Sequence, residues 1–404
     1  MKHQAHHIYA GLKDKNLREV YLAMSLRTMA LSLIMVFVPI YLYNLGYGLT
    51  GVLSYYLFVS IFYMLGDYAT GKMVARFGPK SILAISFPLM IINFIFLLTL
   101  PAYHWPLYLL ALSYTIPGNL FWIPYHNDFS KAKKSGNVGE EIGVMKILTT
   151  LLGALGPLIG GIIAGEFGIQ YTIGLTIFVL VIGTFPILKT PKVVGRQRKF
   201  DMRTFSIKDN WQDIIAYGGY GLEEITSQAI WPLFIFLIVG TYREVGFITT
   251  LALVVAILVT VLTGKVTDKY EKRKVLRFGG IVNCSSGFAK AVVTGVAGAY
   301  LVSTFASVAQ IFLQIPFLSE YYLHADREAR TEYIVGMEAF TDLVRALGIV
   351  FLIVLAYIVN LKTVLVIGLL MGAFGSLLVT FISRNDRKEA GKIKVYRGIA
   401  KART

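Results

Sequence analysis

The sequence predicts an all-α membrane protein, with twelve transmembrane helices arranged as two parallel, pseudo-symmetric six-helix bundles. Three observations carry this expectation. Of 404 residues, 56% are apolar and only 15% are charged, and the mean hydropathy is +0.64, whereas soluble domains run at about 45–50% apolar and about 25% charged. Apolar stretches long enough to cross about 30 Å of hydrocarbon recur along the whole chain. Features of the first half also return in the second at an offset of about 193 residues.

In order, the apolar spans are 18–43, 51–71, 81–100, 106–128, 139–164, 168–188, 211–239, 246–264, 275–295, 299–323, 332–359 and 363–383. Short polar or proline-bearing breakers such as 44–50, 101–105 and 360–362 separate them. Each span must be a helix, because a backbone in lipid has to satisfy its own hydrogen bonds. Of the 39 Lys and Arg residues, 33 fall in connections and termini on one side, and only Arg243 and Lys362 fall on the other. This positive-inside asymmetry places both termini in the cytoplasm and the chain in the cell (inner) membrane. Trp105 and Trp211 fall at opposite helix ends, as in an aromatic belt.

The same distribution disposes of a nucleic-acid reading of the net charge of +16, since the basic residues are spread over every connection rather than gathered on one element. A single cysteine, Cys284, excludes an internal disulfide framework and Cys-ligated metal centres. No zinc-hydrolase spacing occurs among the six histidines. His3, His6 and His7 read as part of a polar terminus rather than as a metal site. No cofactor or metal is expected. The polar first sixteen residues, followed by a full-length span, predict no cleavable signal peptide.

The internal repeat sets the domain boundaries: an N-terminal six-helix bundle (1–188), a basic linker (189–210), a C-terminal bundle (211–383) and a basic tail (384–404). Gly71-Lys72-Met73-Val74-Ala75-Arg76-Phe77-Gly78-Pro79-Lys80 follows the second span, and Gly264-Lys265-Val266-Thr267-Asp268-Lys269-Tyr270-Glu271-Lys272-Arg273 follows the eighth. Pro39 matches Pro232. Ile123-Pro124-Tyr125-His126-Asn127-Asp128-Phe129 matches Ile315-Pro316-Phe317-Leu318-Ser319-Glu320-Tyr321.

On these residues the chain resembles the major facilitator superfamily of secondary transporters over nearly its whole length. The family's loop signature, G-x-L-x-D-R-x-G-R-K, is partly kept in both copies. Gly71, Arg76 and Gly78 in one, and Gly264, Asp268 and Arg273 in the other, are by resemblance a conformational latch. The first copy departs from the pattern with Ala75 in the aspartate position, and Asp67, one turn upstream, can take over part of that role. Gly156-Pro157-Leu158-Ile159-Gly160-Gly161 is similar to the G-P-x-x-G-G core of a motif of exporting members. Small residues there also serve close helix packing.

Ionisable groups within a membrane span border a protein interior or a wet cavity. Glu223 and Glu224 lie roughly 18–20 Å into the seventh span, at about 1.5 Å per residue. Adjacent residues point about 100° apart, so one of the two is expected to face the cavity. Glu224 shares a stripe with Tyr217, Tyr220, Ser227, Gln228 and Trp231 and is the favoured one. The tenth span offers Ser303, Ser307, Gln310, Gln314 and Tyr321, and the fourth Thr115, Asn119, Trp122 and His126. The first contributes Arg27. By resemblance, spans one, four, seven and ten line the cavity.

In the eleventh span Glu338, Asp342 and Arg345 share a face, with Asp342 and Arg345 an expected ion pair. An Arg27–Asp67 pair is an alternative to substrate contact. Lys290 is expected to snorkel at the outer surface. Asp128 and Glu320 read as caps or latch residues.

The expected function is secondary active transport of a small organic or amphiphilic solute by alternating access, proton-coupled, with import and export by antiport both left open. A carboxyl held out of water can cycle between neutral and charged forms. Glu224, Asp342, Asp67 and Glu223 are therefore the candidate proton carriers. The candidate substrate contacts are Arg27, Asn119, Trp122, His126, Tyr217, Tyr220, Gln228, Trp231, Gln310, Gln314 and Arg345. Expected partners are the solute, protons and membrane lipids, with a monomeric protein. Two alternatives stand beside this reading, a lipid or glycolipid translocator and a non-transporting sensor or scaffold. No nucleophile–base arrangement points to an enzyme.

Overall fold

The structure, a computed structural model, describes residues 15–132, 138–189, 200–269, 271–327 and 330–382; side chains at 15–21, 80, 127–132, 138–149, 188–189, 261–262, 264–269 and 326–327 are outside that description. The described residues form twelve helical rods. α1 comprises Lys15–Ile34, a 3-10 turn Met35–Phe37 and Val38–Leu42. α2 is Gly48–Phe77, α3 Pro79–Tyr103, α4 Leu107–Ala132, α5 Val138–Glu166 and α6 Ile169–Lys189. α7 comprises Trp211–Ile225, a π turn Thr226–Ile230 and Trp231–Val239. Then follow α8 Tyr242–Lys269, α9 Lys272–Val292, α10 Val296–Arg327, α11 Arg330–Ala356 and α12 Leu361–Val379.

Among the described residues eight stretches are long and apolar enough to cross a membrane, and the first, Leu22–Phe77, takes in most of α1 and all of α2. The chain is a multi-pass membrane protein. Its outer surface agrees: Ile92, Ile95, Leu112, Ile116, Leu155, Leu258, Leu347 and Phe351 stand exposed, a cover of apolar side chains that lipid tolerates and water does not. α9 is more polar along its length, since Arg277, Asn283, Ser285, Ser286 and Lys290 follow its basic first turn.

The repeated prolines have a local consequence. Pro39 follows directly on the 3-10 turn of α1, and Pro232 follows directly on the π turn of α7. A proline ring clashes with the carbonyl four residues back and removes one N–H, so the preceding turn gives up regular α hydrogen bonding. Both halves therefore break the first helix at the same level. In α4 and α10 the matching Pro124 and Pro316 are accommodated inside continuous helices.

Neighbour relations repeat in the same way. α1 packs on α5 and α6, α2 on α4, and α3 on α4 and α6; likewise α7 packs on α11 and α12, α8 on α10, and α9 on α10 and α12. Two further contacts, α2 with α11 and α5 with α8, join the two sets of six and exchange equivalent helices, as a two-fold relation requires. In the second of these the glycine-rich run of α5 acts as a packing surface. A Cβ placed on Gly246 of α8 would lie 2.3 Å from the Pro157 carbonyl oxygen, and one on Gly161 would lie 2.8 Å from that of Tyr242. Backbones this close leave no room for a side chain.

The end of the molecule at which α7 begins is called here the linker end, and the opposite one the far end. The two sets of helices touch at both. At the far end Asn44 Nδ2 donates to Tyr242 Oη at 3.0 Å, and Arg243 pairs with Glu166 at 3.1 Å.

Candidate functional site

Midway along the α2–α11 contact the structure gathers charge from three helices. Asp67, Glu224, Asp342 and Arg345 lie roughly 15–22 Å from the linker-end tips of their helices, by the rise of about 1.5 Å per residue. Arg345 Nη1 donates to Asp342 Oδ1 at 2.7 Å, the ion pair expected from their spacing. Arg345 also bonds Glu224 across to α7. Glu224 in turn accepts from Gln228 Nε2 at 2.7 Å. One guanidinium thus holds two carboxylates, with α7 and α11 tied together through it. A planar guanidinium carries enough donors to serve both at once.

Asp67 of α2 faces this group from the other half and interacts electrostatically with Asp342, Glu338 and Arg345. It is 2% exposed, and its Oδ2 has no hydrogen-bond partner among the described residues. Glu338, a turn nearer the linker end, accepts from Tyr321 Oη at 3.3 Å.

Glu223 points elsewhere. It accepts from Ser227 Oγ at 2.6 Å and from Gln310 Nε2 at 3.1 Å, which turns it toward α10. Both neighbouring glutamates therefore have polar surroundings, on different sides of α7. Gln314 Nε2 donates to Tyr220 Oη at 3.3 Å, and Phe317 stacks on Tyr220. Tyr217 is buried between Phe317 and Tyr321, its hydroxyl without a partner.

Lys290 corrects the expectation from sequence. Rather than snorkelling, it is 6% exposed, lies over the Trp231 ring at 5.5 Å and interacts electrostatically with Glu223. Its side chain turns inward to Trp231 of α7 while Val292 at the helix tip stays exposed, so a position near a helix end does not put a side chain at the surface.

The Arg27–Asp67 pair, the alternative to a substrate contact, does not form. Arg27 sits over the Phe121 ring at 3.4 Å, inside the N-terminal set. Asn119 donates from Nδ2 to the Tyr63 carbonyl at 3.2 Å, within the α2–α4 packing. His126 stacks on Trp122 and crosses between the halves: its Nδ1 is 2.8 Å from Tyr322 Oη, and its Nε2 is 4.0 Å from Glu338.

Of the latch residues, Gly71 lies under the linker. A Cβ there would stand 2.7 Å from the Phe200 ring and 2.9 Å from Val335 of α11. Gly78, at φ 80°, ends α2 and lets Pro79 start α3; a side chain there would be strained. Arg76 is exposed over Phe77. Arg273 Nη2 reaches the Ile382 carbonyl at 3.5 Å. Gly264 and Asp268 belong to α8, but their side-chain surroundings lie outside the described residues, as do those of Asp128 and the histidines at 3, 6 and 7.

The described residues thus form a twelve-helix bundle with a charge network between its two sets of helices. No family model matches the chain, and no curated protein matches it. Solved structures do. A point mutant of the nucleoside transporter NupG superposes with a TM-score of 0.70 at 12% identity, over 90% of this chain and 97% of its own. NupG without that mutation gives a TM-score of 0.67 at 12% identity, over 91% and 98%. A D-xylose–proton symporter gives 0.67 at 11% identity, also over 91% and 98%. The chain has the fold of these transporters, the one that its resemblance to the major facilitator superfamily implies.

Proposed function

We propose that the chain is a secondary active transporter that moves a small organic or amphiphilic solute by alternating access, with protons as the coupling ion. One observation above all supports this reading: Arg345 is shared by Glu224 and Asp342 while Asp67 of the opposite half faces the same group. Separating the halves removes Asp67 from the cluster and changes the charge around Arg345, so movement and proton occupancy are linked through one set of side chains. The solved neighbours include a nucleoside transporter and a proton-coupled sugar carrier, which favours a solute of comparable size. Glu224, Asp342 and Asp67 carry the proton in this reading, with Tyr220, Gln310, Gln314, Trp231 and Tyr217 bordering the solute. The linker end, where the basic residues gather, faces the cytoplasm.

The test is proton movement in vesicles. Proteoliposomes loaded with a pH-sensitive dye are challenged in turn with uridine, D-xylose and 4-phenylbutylamine, each against protein-free vesicles. At least one solute is expected to drive a proton flux in the unaltered protein, and Glu224→Gln is expected to abolish it with expression intact. Absence of flux with every solute overturns the transport reading; full coupling in Glu224→Gln removes Glu224 from it.

A further inference from the structure

The charges at the α2–α11 contact do not balance. Asp67, Glu224, Glu338 and Asp342 face one another there, and Arg345 is taken up by Glu224 and Asp342. The other cations are occupied elsewhere: Arg27 rests on Phe121 in the N-terminal set, and Lys290 faces Glu223 and Trp231 toward the far end. Asp67 and Glu338 thus have no direct ion pair with an arginine or lysine among the described residues. Glu338 receives one tyrosine hydroxyl, from Tyr321, and His126 approaches it at 4.0 Å. Asp67 is almost wholly buried, with Oδ2 lacking a donor among the described residues.

A buried carboxylate without a partner costs several kcal/mol and is relieved by a proton or by a cation carrying N–H groups. A neutral polyol meets the hydrogen bond but leaves the charge; an anion makes it worse. Nearby surfaces are aromatic. Tyr63 and Tyr114 pack edge to face on the N-terminal side, and Tyr220 stacks on Phe317 on the C-terminal side, faces that attract both apolar groups and cations.

We propose that this site binds an organic ammonium ion bearing an apolar or aromatic tail, anchored by Asp67 of α2 and Glu338 of α11. The ammonium takes the place of a proton on these carboxylates, so that solute and proton are exchanged rather than carried together. The use of this site in transport rests on the function proposed above; the binding itself does not.

Isothermal titration of the detergent-purified full chain tests it, with 4-phenylbutylamine, 4-phenylbutan-1-ol, 4-phenylbutyrate and homophenylalanine as probes at neutral pH. The amine is expected to bind at least about tenfold more tightly than the alcohol, the scale of one charge-assisted hydrogen bond, and the carboxylate weakest. Titrations in phosphate and Tris, whose ionisation heats differ, are expected to show proton release with the amine and none with the alcohol. Asp67→Asn is expected to erase the amine's advantage and its proton release, and Asp67→Glu to restore both; Glu338→Gln serves as the second variant should Asp67→Asn fail to fold. Alcohol or carboxylate binding as tightly as the amine, homophenylalanine binding more tightly than the amine, or amine binding without proton release overturns the proposal. Selective amine binding without flux in vesicles overturns the transport reading alone, and flux of uridine or D-xylose without amine selectivity overturns the ammonium assignment alone.

Discussion

The two sets of six helices share a packing plan but not a chemistry. In the C-terminal set, α7, α10 and α11 carry Glu223, Glu224, Gln310, Gln314, Glu338, Asp342 and Arg345, each hydrogen-bonded to another side chain of the same set. The N-terminal set brings Asp67, Arg27 and His126, and these do not bond one another. Arg27 leans on an aromatic ring, and His126 finds its partner in the other half. Duplication of a bundle thus gives two scaffolds that fit each other, and divergence leaves one holding a cross-linked polar network while the other presents single groups to it. A network tied to itself keeps its geometry when the halves part; single groups change partners. That division of labour suits the alternating-access cycle proposed above.

Substitutions test the asymmetry at decreasing cost. Arg345→Met should be the most damaging, since it leaves the buried Asp342 and the partly exposed Glu224 without their cation, a loss of about 3 kcal/mol, the low end for a broken buried pair, read as a fall in thermal stability in detergent. Arg27→Met, in the other half, removes no ion pair and should cost clearly less by the same assay; equal losses would erase the contrast. Gly246→Leu forces a side chain into the Pro157 carbonyl and should cost about 1–3 kcal/mol while spreading α5 from α8, measured as a longer spin-label distance at the far end. His126→Phe removes one hydrogen bond between the halves and should favour opening at the linker end by about 1 kcal/mol, seen by the same distance method there. Arg243→Ala breaks an exposed pair with Glu166 and should change stability by no more than about 0.5 kcal/mol.

Hydropathy located the helices well, because each must be apolar along its length whatever it packs against. The repeated prolines were equally legible, since a proline acts on its own helix. The Asp342–Arg345 pair followed from spacing alone. What sequence did not reveal was which helices meet between the halves. By resemblance spans one, four, seven and ten line the cavity; the charge cluster gathers Asp67 of α2 and Glu338, Asp342 and Arg345 of α11 with Glu224 of α7. Neither Glu338 as a member of the site nor Lys290 as a buried partner of Glu223 could be read from local pattern, because each depends on a neighbour far away in the chain. Glu224 was favoured over Glu223 on helical phase. Phase separates the two correctly, but it gives no sign that α10 waits on the side to which Glu223 turns.

The described end of the linker adds a mechanical consequence. Phe200 lies on Gly71 of α2 and beside Val335 of α11, and Phe205 lies on Gly336 of α11, while the Asp201 backbone N–H donates to Glu332 at 3.2 Å. The segment is therefore a seam stitched over the joint rather than a slack thread between two bundles. Parting α2 from α11 at this end must unseat a phenyl ring from its notch, so the seam sets a threshold for opening the joint.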